Sequence, residues 1–424
     1  MFRSAGEHRA AAAWLPVLLC LLGPVVDAHA QDDGATVFSG SLRLDYFSSS
    51  RDLDNVRHVM GASTEIKLLH SFSSDERVNL EARLSREDLS RDNRDHSRLI
   101  NAHWHTRSER IDARIGQQKI RWGKADGINP TDFFTPVDNT VLLPSESDRY
   151  LSVPAVRVDV QVGRTSSLSL VAEPDFTPSR LPRPKTTPVS VIEERPSGRR
   201  RPQTGMRLSQ AGENLDWSLS AFHGFSTLPV LSFTGTAADG SPRYLRYYPE
   251  SDGLGADIAR NFGKWGFRAE FAYTKLHAEN GRQSVASNYF LVSGFDRSID
   301  DWNFNLQLLL RYAPDYRTTN AFENPQQQFA AVQNAVIYNQ QKRLTTGMTT
   351  RVAASWLHET LQTEVLGIIY LDPTNYLIRP LITYALSDRR KLIFGGEYYS
   401  GDDLSFFGSL KRNRTVFVEF QRFF

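Results

Sequence analysis

The sequence predicts an all-β chain, a transmembrane antiparallel barrel of about 18 strands (16 as the alternative). Three observations carry this: a period of two in polarity running to the last residue, connections that alternate between short and long, and an aromatic C-terminal residue. The plainest segment is "WNFNLQLLLRY". Trp302, Phe304, Leu306, Leu308, Leu310 and Tyr312 fall on one face, with Asn303, Asn305, Gln307 and Arg311 on the other, as in a strand with one apolar and one polar side. "WGFRAEFAYTK", "VNLEARL" and "VRVDVQV" repeat the pattern. Several apolar faces begin or end on Trp, Tyr or Phe, as lipid-facing strands do at the two membrane interfaces.

A soluble sandwich also alternates, so the connections decide. The strands are expected at 36–47, 57–70, 77–87, 98–107, 111–122, 151–162, 167–173, 203–210, 215–225, 252–260, 265–277, 286–295, 302–312, 344–356, 361–371, 376–385, 390–399 and 414–424. After even-numbered strands the links are short ("SER", "GRTS", "AGEN", "NFGK", "SDRR"). After odd-numbered ones they are mostly long, including 123–150, 174–202, 226–251 and 313–343. Short periplasmic turns opposite long extracellular loops are what a bacterial outer-membrane barrel shows, and a sandwich has no reason to sort its loops so. The last strand, "TVFVEFQRFF", sets Val416, Val418, Phe420 and the terminal Phe424 on one face. Such an ending is similar to that of outer-membrane proteins recognised by the barrel-assembly machinery, which makes that machinery an expected partner. Arg422 interrupts the apolar face where the membrane interface would lie, and can snorkel there.

The N-terminus reads as an export signal, 1–30. Arg3, His8 and Arg9 precede an apolar run, and Ala28-His29-Ala30 forms a small-x-small cleavage site before Gln31. Residues 31–424 are then one barrel domain in the cell outer membrane. The only cysteine, Cys20, lies in the signal, so disulfides, thiolate metal sites and cysteine nucleophiles are excluded from the mature chain. A net charge of +2 is not the footprint of a nucleic-acid binder. Mean hydropathy is −0.41, and no run of 18 apolar residues follows the signal, so no helix is expected to cross a membrane. Outer-membrane lipids and lipopolysaccharide are expected neighbours; the oligomeric state is left open.

The polar face would line the lumen. It carries Arg43, Arg83, Arg157, Arg268, Glu270, Arg311, Arg351 and Arg379, with Glu81, Asp159 and Glu419. Charge at that density implies water, because unpaired charge is costly to bury, and barrels of 16–18 strands are wide enough for an aqueous channel. The expected function is passive passage of a small hydrophilic solute. The excess of arginine over acid suggests an anionic one; a lumen plugged by its own loops is the alternative. A structural or assembly partner, an export conduit for a larger molecule and a barrel-borne hydrolase are the other readings. No catalytic residue, cofactor or metal is assigned: His103 and His105 share a face but lack a third ligand, and there is no Gly-x-Ser-x-Gly elbow.

The most unusual stretch is "GQQKIRWGKADGINPTDFFTPVDNT", Gly116 to Thr140. It is not a P-loop, since six residues separate Gly116 from Gly123 and Ala125 follows Lys124. Its first residues belong to the fifth strand, with Ile111, Ala113 and Ile115 outward; Gly116 could instead mark a bulge that exchanges the faces. The remainder forms the third outer loop, fixed by "NPTD" and "TPVD" turns. The pattern from Gly116 to Asp138, "WGxxDxxNPTDxFxPxD" at its centre, resembles porin-like outer-membrane proteins of Gram-negative bacteria. The resemblance implies a barrel and no particular solute. In general porins the third outer loop often folds inward and narrows the channel. If it does so here, Arg121 and Lys124 belong to the constriction, and Asp126, Asp132 and Asp138 face the arginine-lined wall. A latch that merely braces the loop is the other reading.

Two further segments stand out. Arg180 to Pro202 is basic and proline-rich, hence extended, and could meet lipopolysaccharide phosphates or simply be solvated. Asn324 to Gln341 lacks the period of two and predicts a short helix with Phe329, Val332, Val336 and Ile337 on one side.

Overall fold

The computed structural model describes residues 34–50, 56–89, 95–140, 145–181, 190–195, 202–277 and 285–424. The export signal and most of the Arg180–Pro202 stretch lie outside the described residues. The strands are β1 (Thr36–Ser49), β2 (His58–Ser71), β3 (Glu76–Arg86), β4 (Asp95–Arg107), β5 (Ile111–Gln118), β6 (Val153–Gln161) and β7 (Ser166–Glu173). There follow β8 (Ser190–Glu193), β9 (Gln203–Gln210), β10 (Asp216–Phe225), β11 (Val230–Thr236), β12 (Pro242–Tyr247), β13 (Glu250–Phe262) and β14 (Trp265–Leu276). The last are β15 (Asn288–Ile299), β16 (Trp302–Tyr312), β17 (Leu344–Trp356), β18 (Leu361–Leu371), β19 (Thr374–Ser387), β20 (Arg390–Gly401) and β21 (Thr415–Phe423).

Eighteen of these form one antiparallel sheet, and β21 pairs with β1 to close it. Closure leaves no unpaired edge, which a sheet in hydrocarbon requires. The strand number settles the choice between 18 and 16. At the seam Phe424 is held by the Gly40 N–H at 2.9 Å and its ring lies 5.8 Å from Phe38.

The period of two is what builds the wall. On β16 the apolar residues face out, Leu308 being 60% exposed, while its neighbour Gln307 is 1% exposed and faces in. The same holds for Leu254 against Asp257 on β13 and Val416 against Glu419 on β21. An exposed apolar band on every side is stable only against lipid. Aromatic pairs mark its two rims. Trp302 and Trp356 (5.3 Å) sit toward the short turns, with Tyr273–Tyr289 (4.8 Å) and Tyr376–Tyr398 (6.2 Å) toward the long loops.

The structure differs from the sequence reading in two respects and decides an alternative that the reading left open at Gly116. The fifth strand ends at Gln118, not 122, because Ile120 and Trp122 turn inward to an apolar cluster with Phe134, Val153, Val171 and Phe222. Gly116 stays in register between His103 and Ala155, so no bulge exchanges the faces. Two of the long outer loops hold strands: β8, β11 and β12 make a separate three-stranded sheet. The helix α1 (Pro325–Ile337) forms as expected, capped by the Asn324 side chain on the N–H groups of Gln326 and Gln327. It meets the small sheet through buried Ala330 and Asn334 and through Phe329, whose ring lies 5.5 Å from that of Tyr244 on β12. The Asn334 side chain bonds both the N–H and the C=O of Leu231, each at 2.8 Å.

The facing assignment is testable by replacing one outward residue at mid-strand and one at the rim. Leu308→Arg should cost about 2–4 kcal/mol of stability in reversible unfolding from lipid vesicles, and Trp302→Arg about 0–1 in its charge term. Equal costs would mean that β16 does not cross the membrane as assigned.

Candidate functional site: the third outer loop

The chain between β5 and β6 turns into the barrel. Gly123 makes the turn possible, with φ +98°, a conformation that a side chain would strain. Beyond it, the N–H groups of Lys124 and Ala125 both donate to one carboxylate oxygen of Glu270 on β14, and Thr131 Oγ1 donates to the other at 3.2 Å. Lys124 Nζ reaches Asp216 on β10 at 3.1 Å. Asp126 meets Arg351 on β17 at 2.9 Å. With its amide oriented to match, Gln307 bridges the backbone N and O of Asp126 at 3.2 and 2.9 Å. Eight barrel strands separate β5 from β17 on either side, so the loop crosses the full width of the barrel.

Apolar contacts seat both ends of this arm. Trp122 and Phe134 meet edge to face at 5.1 Å, and Phe133 stacks on Phe222 at 5.5 Å. Two wall glycines permit the approach: a Cβ on Gly205 would lie 2.7 Å from the Phe134 ring, and one on Gly253 would lie 2.6 Å from Phe133. At the far wall Ala125 and Ile128 rest on Phe290, Val292, Leu309 and Leu366, an inward-facing apolar patch.

The returning half holds a short 3-10 turn, Glu146–Arg149. Asp148 is gripped by Arg43 (2.6 Å) on β1 and Arg83 (2.9 Å) on β3, and Arg83 also meets Glu65 at 2.5 Å. Arg98 donates to the carbonyls of Asp148 and Tyr150 at 2.8 and 2.7 Å. Arg149 pairs with Glu397 on β20 at 2.6 Å, which also lies 3.5 Å from Arg379. Burial alone would raise the Asp148 pKa, but Arg43 and Arg83 outweigh it and hold the carboxyl below its ordinary range.

The expected constriction residues are thus divided. Asp126 lies against Arg351 of the wall, and Lys124 lies against the opposite sign on β10. Asp132 and Asp138 do not face the wall. Asp132 stays within its own loop, 3.7 Å from Arg121 and accepting from Thr135 at 2.6 Å. Arg121 also lies over the Tyr150 ring at 4.1 Å. Asp138 is buried and paired with Arg180 of the next outer loop at 3.1 Å. Backbone bonds between Val137, Asn139 and Arg180 tie those two loops together.

The predicted wall residues face inward, but most carry an acid beside them. Arg157 meets Asp159 at 2.9 Å and Arg268 meets Asp296 at 3.5 Å. Arg43, Arg83, Arg351 and Arg379 are paired as above. Arg311 is the exception: it donates to the carbonyls of Tyr338 and Asn339 and lies over the Phe290 ring at 4.2 Å. An excess of arginine in the sequence therefore does not become a bare cationic wall. His105, which shares a face with His103, is held between Arg77 (2.8 Å) and Asp112 (2.9 Å). Among the described residues no group of three His, Cys, Asp or Glu side chains could hold a metal ion.

Sequence reasoning missed Glu65, Asp148, Asp216 and Glu397. Glu65 was legible, since it sits on the inward face two residues before Lys67. Nothing local marks Asp148 or Glu397. A pocket of about 630 Å³ lies beside the returning half of the loop, lined among others by Phe47, Arg83, Arg98, Asp138, Leu151 and Arg180.

Residues 86–363 match the family described as "Protein of unknown function (DUF1302)", and the chain belongs to that family. No curated protein matches it. Solved outer-membrane porins share its fold. The outer membrane protein opdK of Pseudomonas aeruginosa aligns with a TM-score of 0.56 at 9% identity, covering 92% of this chain and 99% of that one. OccAB1 of Acinetobacter baumannii aligns with 0.57 at 9% identity, covering 93% and 98%. A BenF-like porin from Pseudomonas fluorescens Pf-5 aligns with 0.55 at 10% identity, covering 92% and 98%. The fold is that of an outer-membrane porin.

The docking of the loop should depend on pH through Asp132. Burial pushes this carboxyl from 3.8 up to about 6. A folded carboxyl that holds its proton more tightly than the unfolded one favours the native loop at low pH. The preference fades as pH rises from about 4 through about 6. Amide exchange over 120–138 should therefore slow, after correction for the intrinsic rate, on going from pH 7 to pH 5. Asp132→Asn should remove that dependence; an unchanged profile in the variant would place its origin elsewhere.

Proposed function

We propose that the protein is an outer-membrane channel for a small hydrophilic solute, and that the segment from Gly123 to Ile128 is its constriction. One observation carries the reading: an arm of the third outer loop spans the lumen and is pinned to the far wall by Glu270, Gln307 and Arg351. The two earlier alternatives then apply to different parts of one loop. Gly123–Ile128 sits where a solute has to pass, whereas Asp138, Arg180 and the Arg43–Arg83–Asp148 cluster brace the loop against the wall. The family match covers the constricting segment, and the shared porin fold makes passive passage the simplest use of the architecture.

Short of the arm, the inward face is wetter. The Lys67 and Arg268 side chains are 48% and 40% exposed, each beside a carboxylate. Alternating cations and acids in water suit a polar solute with hydrogen-bonding groups, and favour neither sign of charge strongly. This reading places the protein in the outer membrane after cleavage of the leader. Its last strand, ending at Phe424, would be the segment used by the assembly machinery. Channel passage needs no catalytic group, cofactor or metal.

Single-channel recording in planar bilayers tests the proposal. The native protein should conduct in small steps. The double variant Asp126→Ala/Arg351→Ala, and separately deletion of 124–130, should raise the conductance several-fold, because the arm loses its far anchorage. Absence of ionic current from the folded native barrel and from both variants would overturn the channel reading.

A further inference from the structure

The inward turn of the third outer loop leaves its mark on the wall. Strand β4 pairs with β3 from Asp95 to Thr106, but with β5 only from Ala102 to Arg107. β5 stops at Gln118, where the chain enters the lumen. Among the described residues no strand pairs with 95–101 on that side, which is roughly 20 Å of β4. The opposite bank is 151–154, where the chain comes back out of the lumen into β6. Side chains alone bridge the floor of this gap. Gln117 Nε2 donates to the Ser152 carbonyl at 2.7 Å, and Ser152 Oγ donates to the Leu99 carbonyl at 3.0 Å.

The pocket of about 630 Å³ beside the loop fills the gap, and its lining comes from both faces of the wall. Leu99, Gln117 and Pro154 belong to the outward sets of their strands, whereas Val59, Arg83 and Arg98 belong to the inward sets. A cavity lined from both sides passes through the wall. Its outer mouth meets lipid, since Leu84 and Leu99 on one bank and Val156 below the other are exposed. Bare strand backbone is tolerated at membrane depth only against protein or a polar cavity, so the inner end has to be polar. Arg98 stands there. Its Nη2 donates to the carbonyls of Asp148 and Tyr150, while its Nε–H has no partner. The charges nearest to it are Arg83, Asp138, Asp148 and Arg180. These are paired with one another, Arg83 with Asp148 and Arg180 with Asp138. Arg98 therefore keeps a donor for an acceptor inside the cavity. Asp45 and Asp175 also line it, which disfavours a head with more than one negative charge.

We infer that this gap is a lateral portal between the lumen and the outer leaflet, and that it binds a single-chain amphiphile with one carboxylate. The head would accept from Arg98, as a carboxylate does from a guanidinium, and the chain would run out between Leu99 and Pro154. The portal goes beyond the aqueous passage proposed above and does not require the barrel to conduct ions. It exists because β5 gives up its upper residues to the arm, so one turn after Gln118 both narrows the lumen and opens the wall.

Photolabelling of the barrel in phospholipid vesicles, with and without lipopolysaccharide, tests this. Two dodecanoate probes are used, one with a diazirine beside the carboxylate and one with it at the chain end. Peptide mapping should find the first probe on inward residues of 59–63 and 83–85, and the second on 97–99 and 152–154. Excess dodecanoate should abolish both patterns, and dodecanol should not. Arg98→Ala should lower the labelling by about tenfold. That variant also releases the loop carbonyls, so a second one is placed at the outer mouth. Ser97→Trp, at an exposed position of the lining, should block both probes and leave the unfolding temperature unchanged. Labelling of outward residues alone by both probes would overturn the portal and make the gap a groove for surrounding lipid. So would labels spread evenly round the barrel, unchanged labelling of Ser97→Trp, or loss of both patterns whenever lipopolysaccharide is present.

Discussion

Backbone placed inside a barrel has to find partners for its N–H and C=O groups. The architecture depends on how the third outer loop meets that requirement. The N–H groups of Lys124 and Ala125 end on Glu270, and the Gln307 amide donates to the C=O of Asp126 and accepts from its N–H. Glu270 is 1% exposed, so its charge is stabilised largely by the loop that it anchors. The dependence is mutual. Without the loop the carboxylate would be hydrated from the lumen, and without the carboxylate the loop would leave two donors unpaired in a confined space.

This arrangement divides the inward face into zones. Around the returning half of the loop, Arg43, Arg83, Glu65 and Asp148 form a compact network with little exposed charge. Exchanging that network for water is costly, since each buried charge would lose a partner. Toward the short turns the charges remain paired but wet. In the proposed channel, a narrow, held crossing with hydrated charge beyond it would select by size and hydrogen bonding.

Much of the barrel was legible because its cause is local. Lipid on one side and polar lumen on the other imprint a period of two on every strand, and no distant residue is needed to see it. Residues 203–210, 302–312, 344–356 and 361–371 coincide with β9, β16, β17 and β18 for that reason. The failures lie where distant contacts override the local pattern. "QQKIRW" alternates as a continuing strand would, yet Ile120 and Trp122 are drawn to Phe134 and Phe222. The strands β8, β11 and β12 are short, and one of their pairings is parallel between separate loops, so each looks like loop when read alone. For the candidate site, the importance of Gly116–Asp138 was visible as unusual composition. Its division into a crossing arm and a bracing junction was not, because Asp126 and Asp138 differ only in what faces them: Arg351 for one, Arg180 for the other.

The central claim is that residue 126 stands at the far wall of the lumen, beside residue 351. A chain beginning at Gln31 contains no cysteine, so Asp126→Cys/Arg351→Cys can be introduced without background and joined by a short bifunctional thiol reagent in membranes. The account predicts efficient intramolecular cross-linking in the double variant and a conductance after cross-linking that stays near the native value. Failure to cross-link, with each thiol separately reactive, would place the arm outside the lumen and contradict it.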